Sequence, residues 1–422
     1  MENHIPPATL STVRASGPDI GEKELVVMMA SIMALNALAI DTMLPAFPDI
    51  IRGLSIANAN AVQYIISLYL AGTAVGSIFF GPLSDRYGRK PVLLCAVIGY
   101  SICALACGIA GSYSFLMVMR FIHGCFGAAL SVLVVSIIRD KFAGDAMAKR
   151  MSLVFLIFMV VPIIAPSFGQ AVLLFADWRT IFNLMAVIGL MVAIWSWRRL
   201  PETLDPDNVI PIAPASLALS WKTVASHRSA TAYMLGAGLV QGGLYGFLNS
   251  SQQVFDIVFN ARDFFPIGFA IIAMGIASAN FTNGHIVERF GARRVSQAAL
   301  LLSITFGALQ ILAAWLAPQS IVLFLILVAA NMAMVGFIGA NFSSIAMTPF
   351  GKMAGAASSF QSFVKTLLAA GIGALIGQSF NGSALPMAIG FFICGLLCLC
   401  LVLWGENGKL FTRPGTAQRL PM

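Results

Sequence analysis

The chain has 422 residues, of which 59% are hydrophobic and only 10% charged, with a mean hydropathy of +0.89. Soluble domains carry about 25% charged residues, so this composition excludes a water-soluble globular protein as well as a disordered or fibrous chain. The formal charge of +8 does not imply a nucleic-acid partner, because the basic residues cluster in loops between long apolar runs.

Those runs identify membrane spans. Residues 295–351 contain no Asp, Glu, Lys or Arg, and neither do residues 366–405. The first run divides at Ala317-Pro318-Gln319-Ser320 and the second at Asn381-Gly382-Ser383, both turn signals. Backbone polar groups in hydrocarbon must be satisfied within their own segment, which selects helices; the short alternating segments of a barrel are absent. At ~20 residues per span, the predicted helices fall at 25–47, 61–82, 91–110, 114–138, 151–175, 180–199, 229–250, 264–287, 295–317, 319–342, 355–379 and 383–404. The fold class expected is therefore all-α integral membrane, with twelve transmembrane helices.

The widest gap, with Pro201, Pro206, Pro211, Pro214 and a charge cluster, reads as a linker between two six-helix bundles. The expected organisation is an N-terminal tail over 1–24, a bundle over 25–200, a cytoplasmic linker over 201–228, a second bundle over 229–405 and a tail over 406–422. The N-terminal tail lacks the basic head and small-residue cleavage site of a signal peptide, so the first span is expected to be retained. With both termini on one side, that side holds twenty Lys and Arg, while the other holds only Arg52, Arg179 and Arg262. The asymmetry places both termini in the cytoplasm. Only Arg120 and Lys365 remain inside spans.

No chemistry of catalysis is visible. His4, His123, His227 and His285 are scattered, and the seven cysteines (Cys95, Cys103, Cys107, Cys125, Cys394, Cys398 and Cys400) lie in or at the ends of spans without metal-ligand spacing. No glycine-rich phosphate loop is present. The protein is read as a non-enzyme with no cofactor or metal.

An internal repeat gives the organisation its strongest support. Gly81-Pro-Leu-Ser-Asp85-Arg86-Tyr-Gly88-Arg89-Lys90 follows span 2, and Gly284-His-Ile-Val-Glu288-Arg289-Phe-Gly291-Ala-Arg293 follows span 8. Glycine, acid, arginine and second glycine recur at an offset of 203 residues, close to half the chain. Two parallel six-helix halves are the repeat pattern of the major facilitator fold.

The first of these segments resembles the loop 2–3 signature of the major facilitator superfamily. Three further segments narrow the resemblance. They are Asp41-Thr-Met-Leu-Pro45-Ala-Phe-Pro48 at the end of span 1, Arg120-Phe-Ile-His123-Gly124-Cys-Phe-Gly127 in span 4, and Pro162-Ile-Ile-Ala165-Pro166-Ser-Phe-Gly169-Gln170 in span 5. Together they are similar to drug:proton antiporters of the bicyclomycin/chloramphenicol-resistance (Bcr/CflA) type, strongly over 25–200 and weakly beyond. His123 stands where that family usually has Gln, and Gln170 replaces a motif glycine. The resemblance implies a bacterial inner-membrane, proton-driven exporter of small amphipathic compounds, with lipid and protons as partners, no nucleic acid, and a monomeric state. It further implies that Gly81, Asp85, Arg86, Gly88, Arg89 and Asp140 form a latch at the cytoplasmic face. Pro162, Pro166 and Gly169 would control bending and leakage at the interface between the bundles.

Charges inside the bilayer are costly and usually face a cavity or each other. Asp41 and Arg120 enter from opposite sides and reach similar depths, so Asp41 is the expected proton carrier, its protonation responding to water and to Arg120. His123 shares a helical face with Arg120. The competing readings are that Asp41 caps a helix end, Arg120 snorkels to headgroups and His123 packs between helices. Lys365 either meets an anionic substrate or snorkels inward. Polar groups in apolar spans, namely Asn36, Tyr69, Tyr245, Asn249, Asn331 and Gln361, are candidate substrate contacts or interhelical hydrogen bonds. Gly72, Gly76, Gly124, Gly127, Gly371 and Gly373 permit close helix contact. The alternatives to drug export are a facilitator-fold importer or a dedicated metabolite exporter, and, more remotely, an intramembrane enzyme or channel.

Overall fold

A computed structural model describes residues 20–209 and 214–411, helical nearly throughout and without a strand among the described residues. His4, Arg14, Pro211, Arg413 and Arg419 lie outside the described residues. Twelve long helices follow in order: α1 Glu22–Asp41, α2 Tyr64–Tyr87, α3 Arg89–Gly108, α4 Tyr113–Lys141, α5 Gly144–Leu173, α6 Trp178–Arg199, α7 Arg228–Gln253, α8 Phe265–Phe290, α9 Ala292–Leu316, α10 Ile321–Met347, α11 Ala354–Gln378 and α12 Leu385–Gly405.

Local sequence sets the helix ends. Ser112, Asp177 and Ser320 accept the backbone N–H three residues on and so start α4, α6 and α10. Gly88 and Gly291, the matched glycines of the repeat, separate α2 from α3 and α8 from α9. Both hold positive φ, +98° and +85°, a conformation open to glycine without strain. At Gly88 a side chain would also meet the Glu202 carboxylate, at 2.6 Å.

Some elements depart from the sequence expectation. The first span does not run unbroken to residue 47: α1 stops at Asp41, and the chain continues through a 3-10 turn at Leu44–Ala46 and a short helix at Phe47–Gly53. Pro45 and Pro48 sit in the first turns of these pieces, where the missing N–H costs nothing. The stretch expected as a bare linker contains a helix at Pro214–Ser226, whose Trp221 stacks on Phe360 of α11. Helix α5 begins seven residues before its predicted start, at Gly144.

Eleven helical segments among the described residues are long and apolar enough to cross a membrane. Helix α7 falls outside that set because it carries glycines and a polar end, Asn249-Ser250-Ser251-Gln252-Gln253. Yet nineteen of its residues are buried, packed against α10, α11 and α12. Its polar groups therefore meet protein rather than lipid. The outward surface is apolar, and Trp315 (73% exposed) and Trp197 (61%) lie near helix ends, where amphipathic indole rings favour the membrane–water boundary.

Helix α2 packs on α4, α3 on α6 and α1 on α5; among the last six, α7 packs on α11 and α12, and α10 on α8 and α9. The two sets meet where α2 touches α11 and α5 touches α8. Close approach of α2 and α4 depends on Gly72 and Gly124, where an added Cβ would overlap the carbonyls of Phe121 and Tyr69. Gly371 makes no such contact: nothing lies within 4 Å of its Cβ position. It faces open space rather than a neighbouring helix.

Candidate functional site

A cavity of about 560 Å³ lies between the two sets of helices, walled by α1, α2, α4 and α5 on one side and by α7, α8 and α11 on the other. That volume falls within the range of small-molecule sites. Asp41 and Lys365 are the charged residues among its described lining, one from each side. Phe155, Phe158, Met159, Phe269 and Ile272 supply an apolar wall, and Asn36, Gln241, Tyr245 and Asn280 supply polar edges.

Asp41 is only 5% exposed. Among the described residues, no cation lies within 4 Å of its carboxylate. Helix α1 does end at Asp41, but a 3-10 turn and a short helix carry the chain on to Gly53, and the Asp41 side chain is buried rather than at an exposed helix end. Tyr245 borders the same cavity and accepts a hydrogen bond from Gln241 Nε2 at 3.0 Å. Helix α5 approaches α1 beside Asp41 because position 169 is glycine; a Cβ there would overlap the Thr42 carbonyl oxygen. Pro162 lines the cavity, and Pro166 lies one turn on in the same helix.

Arg120 reaches the end of α1 that carries Asp41 but forms no ion pair with it. It is fully buried, with Nε donating to the Ile65 carbonyl at 3.0 Å and Nη2 to the Ala39 carbonyl at 2.9 Å. Its third contact is His123 Nδ1 at 3.1 Å, and its guanidinium lies 4.4 Å from the centroid of the Tyr69 ring. A guanidinium has five donors in a rigid fork and no acceptor, so Nδ1 of His123 accepts. These bonds join α4 to α1 and to α2. Arg120 therefore neither snorkels nor pairs with the carboxylate. His123 is enclosed between the Tyr69 and Tyr100 rings, with centroids 5.2 and 4.2 Å away, and is absent from the cavity lining.

Of the polar residues singled out as substrate contacts, Asn36, Tyr245 and Lys365 line the cavity. The other four hold helices together. Tyr69 donates to Asn36 Oδ1, while Asn36 Nδ2 donates to the Gly127 carbonyl at 3.1 Å and to Ser131 at 3.2 Å, so Tyr69 orients a lining residue from behind. Asn331 accepts from Ser303 at 2.9 Å, joining α10 to α9. Gln361 donates to the Ser343 carbonyl at 3.4 Å, and Asn249 donates to Ser67 at 3.2 Å. Burying an amide favours such pairing over an open cavity edge. Sequence reading missed Gln241 and Asn280. Gln241 sits one turn before Tyr245 and shares its face, a signal that could have found it; nothing in the sequence marks Asn280.

At one end of the bundle, Arg89 is buried and donates to Asp85 at 2.5 Å, Asp140 at 2.8 Å and Ser84 at 2.7 Å. Glu202, unforeseen from sequence, caps α3 by accepting from the backbone N–H of Arg89 at 2.8 Å and of Lys90 at 3.1 Å. Arg86 is exposed and lies over the Tyr87 ring, outside this cluster, and Gly81 has open space on its Cβ side apart from Val132 at 3.9 Å. In the second set of helices, Arg293 donates to Glu406 at 2.8 Å. Each of these bonds stays within one set of helices or its flanking segment.

At the opposite end, bonds cross between the two sets. Gln63 donates to Gln253 at 2.5 Å, Gln253 to Asn60 at 3.2 Å, and Gln378 to the Asn60 carbonyl at 2.6 Å. Asn60 returns to the Phe380 carbonyl at 2.9 Å, and Arg262 reaches Asp49 at 3.3 Å. The cavity is thus tied shut at this end by neutral amides and one ion pair.

A family model described as Major Facilitator Superfamily matches residues 29–374. An MFS-type transporter of Bacillus subtilis (strain 168), YdgK, is 30% identical over 88% of this chain and 93% of its own length. A bicyclomycin resistance protein homolog of Haemophilus influenzae is 29% identical over 92% of this chain and 97% of its own. A solved bacterial homolog of the human lysosomal transporter Spinster, described as inward-facing and occupied, superposes with TM-score 0.72 at 17% identity, covering 93% of this chain and 97% of that one. The last likeness concerns the fold.

Proposed function

The chain belongs to the Major Facilitator Superfamily and is a multi-pass membrane transporter of small molecules; from that premise we propose that it exports amphipathic drug-like compounds in exchange for protons. The similarity to a bicyclomycin resistance protein homolog supports the drug-export part. One observation carries the proton part: Asp41 is buried, borders the central cavity and has no cation within ion-pair reach among the described residues. A carboxyl so placed exchanges its proton according to whether the cavity offers it water or a ligand.

The exchange follows alternating access. The amide clasp at Gln63 and Gln253 closes one end, and the Asp85–Arg89–Asp140 cluster stays within one bundle at the other, the arrangement of a cavity facing the latch side. The excess of basic residues on the latch side supports placing that side, and both termini, in the cytoplasm of a bacterial inner membrane. In this reading a compound enters from the cytoplasmic side and displaces the proton of Asp41. The bundles then tilt, and reprotonation from outside releases the compound. No cofactor takes part; the proton gradient supplies the energy, and one copy of the chain suffices.

The decisive experiment is transport in proteoliposomes under an imposed pH gradient, comparing wild type with Asp41→Asn. We expect gradient-driven efflux from the wild type that a protonophore abolishes, and no gradient dependence in the variant although it inserts normally. Undiminished coupling in Asp41→Asn would sink the assignment.

A further inference from the structure

We propose, resting on the exporter reading above, that the compounds this cavity prefers are amphoteric: an apolar body carrying both an amine and a carboxylate. Asp41 and Lys365 are the two charged residues in the described lining of the cavity. They border one cavity, carry opposite formal charges, and come from α1 and α11, on opposite walls. They do not pair with each other, since no ion pair of 4 Å or less joins them, and neither has a hydrogen-bond partner among the described side chains.

An ammonium without a counter-ion, and a carboxylate that has none once it gives up its proton, are each costly between apolar walls. A cationic ligand relieves Asp41 but is repelled by Lys365. An anionic ligand relieves Lys365 but cannot take the place of the Asp41 proton, so it drives no exchange. A neutral ligand relieves neither. A molecule with both groups satisfies both walls at once, its ammonium replacing the proton that Asp41 releases to bulk water and its carboxylate resting on Lys365. Phe155, Phe158 and Phe269 then cover its body. Because the two anchors belong to different sets of helices, such a ligand also spans the division across which the bundles move.

The test uses the full chain in lipid nanodiscs and equilibrium binding of three related probes. These are L-phenylalanyl-L-phenylalanine, its methyl ester (a cation) and its N-acetyl derivative (an anion). The expected result is that the free dipeptide binds about tenfold or more tightly than either derivative, as two satisfied charges against one require. Lys365→Gln should shrink the gap between dipeptide and ester to under about twofold, and Lys365→Arg should preserve it; retention in the arginine variant also shows that the site tolerates substitution there. Equal binding of the three probes, or a gap that survives Lys365→Gln, overturns the proposal. Export driven by the pH gradient is measured separately with each of the three probes. Export without a binding gap defeats the amphoteric preference alone, whereas a binding gap without proton-driven export of any probe defeats the exporter reading alone.

Discussion

Arg120 donates to the carbonyl oxygen of Ala39 at 2.9 Å, two residues before Asp41, and leaves the Asp41 carboxylate without a cationic partner. The same side chain holds Ile65 at 3.0 Å, so one guanidinium fixes the end of α1 against the start of α2. Arg120 therefore governs where Asp41 stands more than what charge it meets. A lone buried cation is tolerated here because main-chain carbonyls, His123 and the Tyr69 ring face act as acceptors.

This relationship separates two roles that a charge-conserving substitution can tell apart. Lysine keeps the charge but reaches only one of the two carbonyls. Losing a hydrogen bond to a buried charged group costs about 1.5–3 kcal/mol. We expect Arg120→Lys to lower the thermal unfolding midpoint in detergent, followed by tryptophan fluorescence, and to cut proton-driven transport by about tenfold or more. Wild-type stability and transport in Arg120→Lys would show that charge, not the clamp, is what matters.

Gly169 predicts a steric effect beside the same carboxylate. A Cβ at that position would overlap the Thr42 carbonyl, whereas one at Gly371 meets nothing within 4 Å. Overpacking of this kind costs about 1–3 kcal/mol. Gly169→Ala should therefore push α5 from α1 and reduce export by about tenfold, while Gly371→Ala should leave it near wild type. Drug susceptibility of an efflux-deficient host expressing each variant at matched levels measures the contrast, and equal phenotypes would refute it.

The clasp between Gln63 and Gln253 predicts a shift in conformational balance. Each neutral hydrogen bond contributes about 1 kcal/mol net, so losing Gln63–Gln253, Gln253–Asn60 and the longer Gln378–Gln63 bond favours the opposite-facing state by roughly thirtyfold or more. In the Gln63→Ala, Gln253→Ala double variant, spin labels at the exposed Ser55 and Ser379 should show a growing long-distance population by pulsed electron resonance. Unchanged distances would mean that the contact of α2 with α11, rather than the amides, holds this end closed.

The positions of the helices were legible because the bilayer imposes one rule on every span: long apolar runs with backbone bonds closed internally. Helix α7 was legible too, despite its polar end, because its flanks were. The repeat around Gly88 and Gly291 was equally readable, since a required positive φ leaves a mark in residue type. Asp41 and Lys365 stood out as charges where lipid allows none.

What the sequence by itself determined is thus a set of helices, their order, and the few residues too polar for their surroundings. Only the tertiary structure decided which of those residues face the cavity. Asn36 and Tyr245 border it, while Tyr69, Asn331 and Gln361 bind neighbouring helices. The physical reason is that a polar group in a membrane helix must find a partner but does not specify which. A hydrogen bond to the next helix and a contact with a ligand satisfy it equally, and only the rotation and approach of the helices, set by packing at positions such as Gly124 and Gly169, choose between them.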